Sequence, residues 1–209
     1  MRLLPDSAEI VEGRLQLGGC DLIDLAGEFG TPLFVYDEQQ LRDRCREAVQ
    51  VFGEGVAYAT KAFLCTAMAR LAYDEQMRLD VATGGELHTA LAAGVPASAC
   101  IMHGNNKSVA ELRMAIIEGV QQIVVDSFDE LDRLDALHAD GVGPVPDVLL
   151  RITPGVHAHT HEFIATGQDD SKFGFNLGNG DAMRAVERAG VSASVDLVGL
   201  HCHIGSNVF

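Results

Sequence analysis

Lys61 closes an apolar run, Val56-Ala57-Tyr58-Ala59-Thr60, and apolar residues resume at Ala62, Phe63 and Leu64. Most lysines are solvated surface. At the end of a core strand the amine is expected to be desolvated, which favours its neutral, nucleophilic form. Such an amine can condense with an aldehyde such as pyridoxal phosphate. Further along, His201 and His203 lie two apart in GLHCHIGS, so on a strand they share one face and Cys202 points to the other. They could hold a metal, face a ligand or sit as satisfied core histidines. Gly205-Ser206 adds close backbone approach and a hydroxyl suited to an anion. His157, His159 and His161 alternate beside Glu162 and could line one side of a zinc site, but nothing nearby completes a ligand set. A solvated polar loop is therefore the expectation there.

These residues need elements to position them. Apolar strand-like runs occur at 56–60, 79–83, 99–103, 122–127, 147–152 and 197–204. Each is short and continuous, as expected of parallel strands covered on both faces. The segments between them are amphipathic. Ser108 and Glu111 have capping-box spacing ahead of Leu112, Ala115 and Ile116, with Gly119 as a stop. Ser127 and Glu130 repeat the spacing before Leu131, Leu134 and Leu137, and Gly84-Gly85 opens a third helix that ends at Gly94-Val95-Pro96. A unit of roughly two dozen residues is a strand plus a helix, and repeated right-handed units give either a doubly wound sheet or a closed barrel. Periodicity leaves both open. Residues 31–36, TPLFVY, read as a further strand, and Asp37 caps a helix carrying Leu41, Cys45, Val49 and Phe52. Residues 153–180 read as one long irregular insertion.

In either architecture sites gather at the carboxyl ends of strands. Those ends carry Lys61; Asp80, with Thr83 to Glu86 after it; His103-Gly-Asn-Asn-Lys107; Asp126-Ser127; Arg151; and His201, His203 and Ser206. Six polar ends in register suggest one polar mouth.

The bulk composition narrows the partners. The chain has 209 residues and a formal charge of −15, which disfavours nucleic acid and membrane surfaces. The five cysteines are scattered, with no Cys-x-x-Cys pair, which fits a reducing cytoplasm. There is no GxGxxG, no GxxxxGK and no Gly-x-Ser-x-Gly elbow.

YATKAF, LDVATGGEL, HGNNKS, THEFIATGQDDSKFGF and GLHCHIGS, in this order, resemble the N-terminal half of the diaminopimelate decarboxylases, in the fold-type III pyridoxal-phosphate group. The likeness runs from EFGTPLFVYD to the last residue. It implies a (β/α)8 barrel of the alanine racemase type, truncated after about six strands, with the C-terminal β-domain absent. Residues 1–37 would form an N-terminal segment whose 31–36 strand joins that β-domain, and 38–209 an incomplete cofactor-binding barrel. Lys61 matches the lysine that bonds pyridoxal 5′-phosphate, His203 the histidine stacked on its ring, and Ser206 the serine near its phosphate. Asp80, Glu86 and Arg151 match residues lining the mouth. The implied reaction removes the D-centre carboxylate of meso-2,6-diaminopimelate to give L-lysine, in a cytoplasmic homodimer. Family members continue for about as many residues again, a further domain's worth. The 209-residue chain by itself is therefore expected to be inactive. Two other readings stay open: an ornithine, arginine or carboxynorspermidine decarboxylase, and a non-catalytic pyridoxal-phosphate barrel.

Overall fold

The computed structural model describes residues 3–155 and 173–205. Its contacts group into two compact units, one of residues 1–56 with 74–77, the other of 57–73 with 78–209.

The first unit begins with three short strands, β1 (Glu9–Val11), β2 (Arg14–Leu17) and β3 (Cys20–Asp21), paired antiparallel in that order. Both connections are two-residue turns: Val11 pairs with Arg14 and Leu17 with Cys20. Glu12-Gly13 and Gly18-Gly19 have positive φ at both positions, as a hairpin turn matched to strand twist requires. Helix α1 (Leu22–Phe29) follows, its first N–H groups received by the Asp21 carboxylate. Asp37 caps α2 (Glu38–Phe52) by accepting from the Gln40 N–H. Glu75 is held by Arg42 at 2.8 Å and Arg46 at 2.6 Å, which ties α2 to residues 74–77. Residues 31–36 do not form the expected strand. Phe34 and Tyr36 are exposed, and the segment joins no ladder among the described residues. A strand exists by pairing its N–H and C=O groups with another segment, and an apolar run does not by itself bring that partner.

The second unit is built on β4 (Ala57–Ala59), α3 (Thr66–Asp74), β5 (Arg78–Val81), α4 (Gly84–Ala92), β6 (Cys100–Met102), α5 (Val109–Glu118), β7 (Gln122–Val125), α6 (Phe128–Ala139), β8 (Asp147–Thr153), β9 (Phe175–Asn176), α7 (Asp181–Gly190) and β10 (Asp196–Cys202). The strand order is β4-β5-β6-β7-β8-β10, every pairing is parallel, and β9 adds to β8. A doubly wound sheet reverses its order at a switch point. This one never does, which is the winding of a barrel wall and settles the alternative that periodicity left open. All six apolar runs are strands, within two residues of their expected ends.

The core forms where these strands meet the helices. Leu79, Val81, Met102, Ile123, Val125, Val148 and Leu150 are buried, and Leu87, Leu112, Leu131, Leu134 and Leu137 cover them from α4, α5 and α6. Helix starts follow the sequence signals. Ser108 and Glu111 form the full capping box, and Gly119 ends α5 in the left-handed conformation. Ser127 accepts from the Glu130 N–H, but the Glu130 side chain does not complete the box; it turns inward. The insertion expected at 153–180 is not irregular throughout, because Phe175–Asn176 adds to the sheet beside Ile152 and Thr153. The expected histidine loop, at His157, His159 and His161, lies outside the described residues. All five cysteines are unpaired thiols, and burial pushes Cys100 up to about 11.

Candidate functional site

The carboxyl ends of the strands bring most of the expected residues together. Lys61 lies in the single 3₁₀ turn, Thr60–Ala62, that follows β4. Thr60 is buried and its hydroxyl donates to the Asp80 carbonyl at 2.9 Å, which pins the turn to β5. Asp80 reaches across to His103 after β6, with Nδ1 3.3 Å from the carboxylate. The His103 ring meets His201 edge-on, centroids 4.7 Å apart. Arg151, at the end of β8, is buried; its Nη1 donates to Asp126 at 3.0 Å and its guanidinium lies 4.4 Å from the Phe173 ring centroid. His203 lies within electrostatic reach of Arg151, Lys61, His103 and Asp80 at once. Asp80, His103 and His201, far apart in sequence, are thus brought into contact at the strand ends.

Two expectations need correction. The apolar flanks of Lys61 predict a desolvated amine, but Lys61 is exposed. The strand it follows is three residues long and half-buried, and its neighbours Ala62 and Phe63 are exposed too, so local apolar sequence did not become local burial. Glu86 does not join the group around His203. Its carboxylate turns back to accept the Ala82 N–H just before α4, while Thr83 caps the helix by accepting the Glu86 N–H at 3.2 Å. A carboxylate one turn into a helix finds unsatisfied N–H groups nearby, and those win over the mouth. Ser206 lies outside the described residues.

The electrostatics follow from this packing. Burial, then the neighbours His103 and Arg151, hold His201 down at about 4, against the opposing pull of Asp80. His203 is lowered as well, by burial first and then by Arg151 and Lys61. Both rings are therefore uncharged near neutrality. Two ring nitrogens, His103 Nε2 and His201 Nδ1, are buried without a hydrogen-bond partner among the described residues. Buried polar atoms normally have partners, so these two positions suit a ligand carrying polar groups.

The His201 shift sets a pH dependence. Below pH 6.5 the unfolded chain takes up a proton at His201 that the folded chain refuses until about pH 4. Between those values the unfolded state holds more protons, so stability rises with pH and is lost on acidification through that window. An NMR titration of the ring is expected to show a midpoint near 4. A midpoint near 6.5 would show the ring to be solvated.

The sequence signals missed one part of this region. Lys107 and Glu130 are among the most buried residues of the chain, 1% and 2% exposed, and form an ion pair at 2.8 Å. Lys107 Nζ also donates to the carbonyls of Gly104 and Val124, both at 2.6 Å. Lys107 reads as one more polar strand end and Glu130 as a capping carboxylate, and neither signals a buried partner. No local pattern pairs residues from different strand–helix units.

Comparison with known proteins follows the same architecture. The family model described as "Pyridoxal-dependent decarboxylase, pyridoxal binding domain" matches residues 38–209. The chain belongs to the pyridoxal-dependent decarboxylases. Among relatives of that family it is 55% identical to the diaminopimelate decarboxylase of Mycobacterium leprae (strain TN), covering 92% of this chain and 41% of that protein. It is 52% identical to the diaminopimelate decarboxylase of Bacillus subtilis (strain 168), covering 94% and 46%. The solved structure of the M. jannaschii diaminopimelate decarboxylase in complex with L-lysine superposes with a TM-score of 0.86 at 38% identity, over 97% of this chain and 49% of that one. The chain thus spans less than half the length of the decarboxylases it matches. The alanine racemase-like barrel expected from sequence is the fold of these neighbours. No helix among the described residues is long and apolar enough to cross a membrane.

Proposed function

We propose that this chain is the cofactor-binding part of an enzyme that decarboxylates meso-2,6-diaminopimelate to L-lysine using pyridoxal 5′-phosphate. The observation that carries the reading is that Lys61, Arg151 and His203 stand at the carboxyl ends of strands in one parallel sheet, in a chain 50–55% identical to curated diaminopimelate decarboxylases. The residues present fit the cofactor. A primary amine, a fixed guanidinium, a carboxylate and two neutral imidazoles suit an aldehyde, an anionic group and a flat heteroaromatic ring. Unpartnered His103 Nε2 and His201 Nδ1 leave polar positions for it to satisfy. Bound there, pyridoxal 5′-phosphate supplies the sink for the electron pair left when carbon dioxide departs.

The chain's own groups have separate tasks. Lys61 supplies the amine that bonds the aldehyde carbon, and its exposure leaves it open to attack and exchange. His203, kept uncharged, presents an imidazole face that can pack on the cofactor ring without bringing a proton. Arg151, held by Asp126, supplies positive charge. Asp80 orients His103 through Nδ1, which leaves Nε2 directed elsewhere. Ser206 is proposed to meet the phosphate. On the same reading the working enzyme is a homodimer in a reducing cytoplasm, to which five free thiols are suited.

The test uses a full-length protein, carrying this chain at the length of its relatives. Borohydride reduction in the presence of pyridoxal 5′-phosphate is expected to label Lys61, and carbon dioxide is expected from meso-diaminopimelate but not from ornithine, arginine or carboxynorspermidine. An unlabelled Lys61, or release from one of the other three, would overturn the assignment. The 209-residue chain alone is expected to release none.

A further inference from the structure

Four buried charges run behind the mouth in two pairs. Lys107 pairs with Glu130 at 2.8 Å, and Asp126 with Arg151 at 3.0 Å. One hydrogen bond joins the pairs: the Asp126 N–H donates to Glu130 Oε2 at 3.3 Å. Asp126 is then held at three points, because its second carboxylate oxygen accepts the Gly174 N–H at 3.0 Å. Gly174 sits at φ +71, and a Cβ there would come within 2.6 Å of the Arg151 carbonyl, so the backbone closes tightly on this point. Lys107 is equally well determined. Its ammonium donates to carbonyls on the loop after β6 and on β7, and lies 2.8 Å from the Glu130 carboxylate on α6.

As a source of stability the Lys107–Glu130 pair is a poor choice. Removing two charges from water costs several kcal/mol, and apolar replacements of similar volume are often neutral or better. The surrounding core is leucine and valine and could supply them. What an apolar pair could not supply is an acceptor for the Asp126 N–H. We infer that Lys107 and Glu130 are positioning residues: they fix Asp126 at the end of β7, and through it hold the Arg151 guanidinium at the mouth. The relay crosses three successive strand–helix units, β6–α5, β7–α6 and β8, so it also locks their relative register at the strand ends. Its link to cofactor chemistry rests on the function proposed above; its effect on Arg151 does not.

The test is made on this chain without cofactor, reading by NMR the Arg151 Nη1–H resonance, the donor to Asp126. In the native chain that proton is expected to exchange slowly. In Lys107→Met/Glu130→Leu the fold is expected to be kept by circular dichroism, while Arg151 exchange quickens by about tenfold. Lys107→Met/Glu130→Gln is expected to restore slow exchange, since the amide oxygen accepts from Asp126 and its NH₂ can reach the carbonyls that Lys107 leaves. Unchanged Arg151 exchange in the Met/Leu chain would overturn the inference. So would a Met/Leu chain that fails to fold, which would make the pair a requirement of the core rather than of the site. Pyridoxal 5′-phosphate titration of the full-length Met/Leu variant completes the test, with binding expected to weaken by about tenfold. Failure of the native full-length protein to bind it would sink the cofactor reading and leave the Arg151 result standing.

Discussion

Lys61→Ala in the full-length protein is expected to lower carbon dioxide release from meso-diaminopimelate by at least about 10⁴-fold, the scale on which losing a covalent nucleophile acts. The reason is chemical rather than structural. Among the described residues Lys61 is exposed, and its turn is pinned by the Thr60 hydroxyl. Lys61→Arg should fail equally, because a guanidinium stays protonated and cannot attack an aldehyde. Steady-state rates for the two variants check this. Activity within about tenfold of the unmodified protein in Lys61→Ala would remove Lys61 from the chemistry.

Glu130→Leu alone is expected to destabilise the chain by about 3–5 kcal/mol, because it leaves Lys107 charged and buried with no counter-charge of its own. Burial already pushes Lys107 down and Glu130 up from their ordinary values, each opposed by the other's charge. Removing Glu130 leaves the burial of Lys107 opposed by Asp126 alone, with Arg151 adding to it. For a chain of this size the thermal midpoint should drop by about 10 °C. Lys107→Met alone should cost a comparable amount. The Met/Leu double variant should recover most of both losses, giving a large coupling in a double-mutant cycle. Denaturant unfolding of the four chains measures it. Additive losses would show that the two side chains do not act as a pair.

Part of the site is legible in the amino-acid sequence. Lys61, Asp80, Arg151 and His203 are marked by one rule, that polar residues closing apolar runs collect at one end of a parallel sheet, and all four stand at or just past strand ends of that sheet. The hairpins of the first unit are also legible in principle: Gly18-Gly19 between two short runs is a turn signal, though Glu12-Gly13 is a weaker one. Helix starts at Ser108 and Ser127 are readable because capping is a contest among neighbours three residues apart.

Local sequence determined the six strands of the parallel sheet, the helix starts at Ser108 and Ser127, and which side chains stand at those strand ends, because each depends on groups within a few residues. Only the tertiary structure decided the rest. The unbroken order of β4 to β10 distinguishes barrel winding from a doubly wound sheet, and strand order is a property of pairing between distant segments. Lys107 meets Glu130 and Asp126 meets Arg151 from separate strand–helix units. Glu86 is drawn back to its own helix, and Lys61 is left exposed where its flanks promised burial. In each case the outcome was set by which groups from elsewhere in the chain arrive to compete for a charge or to cover it.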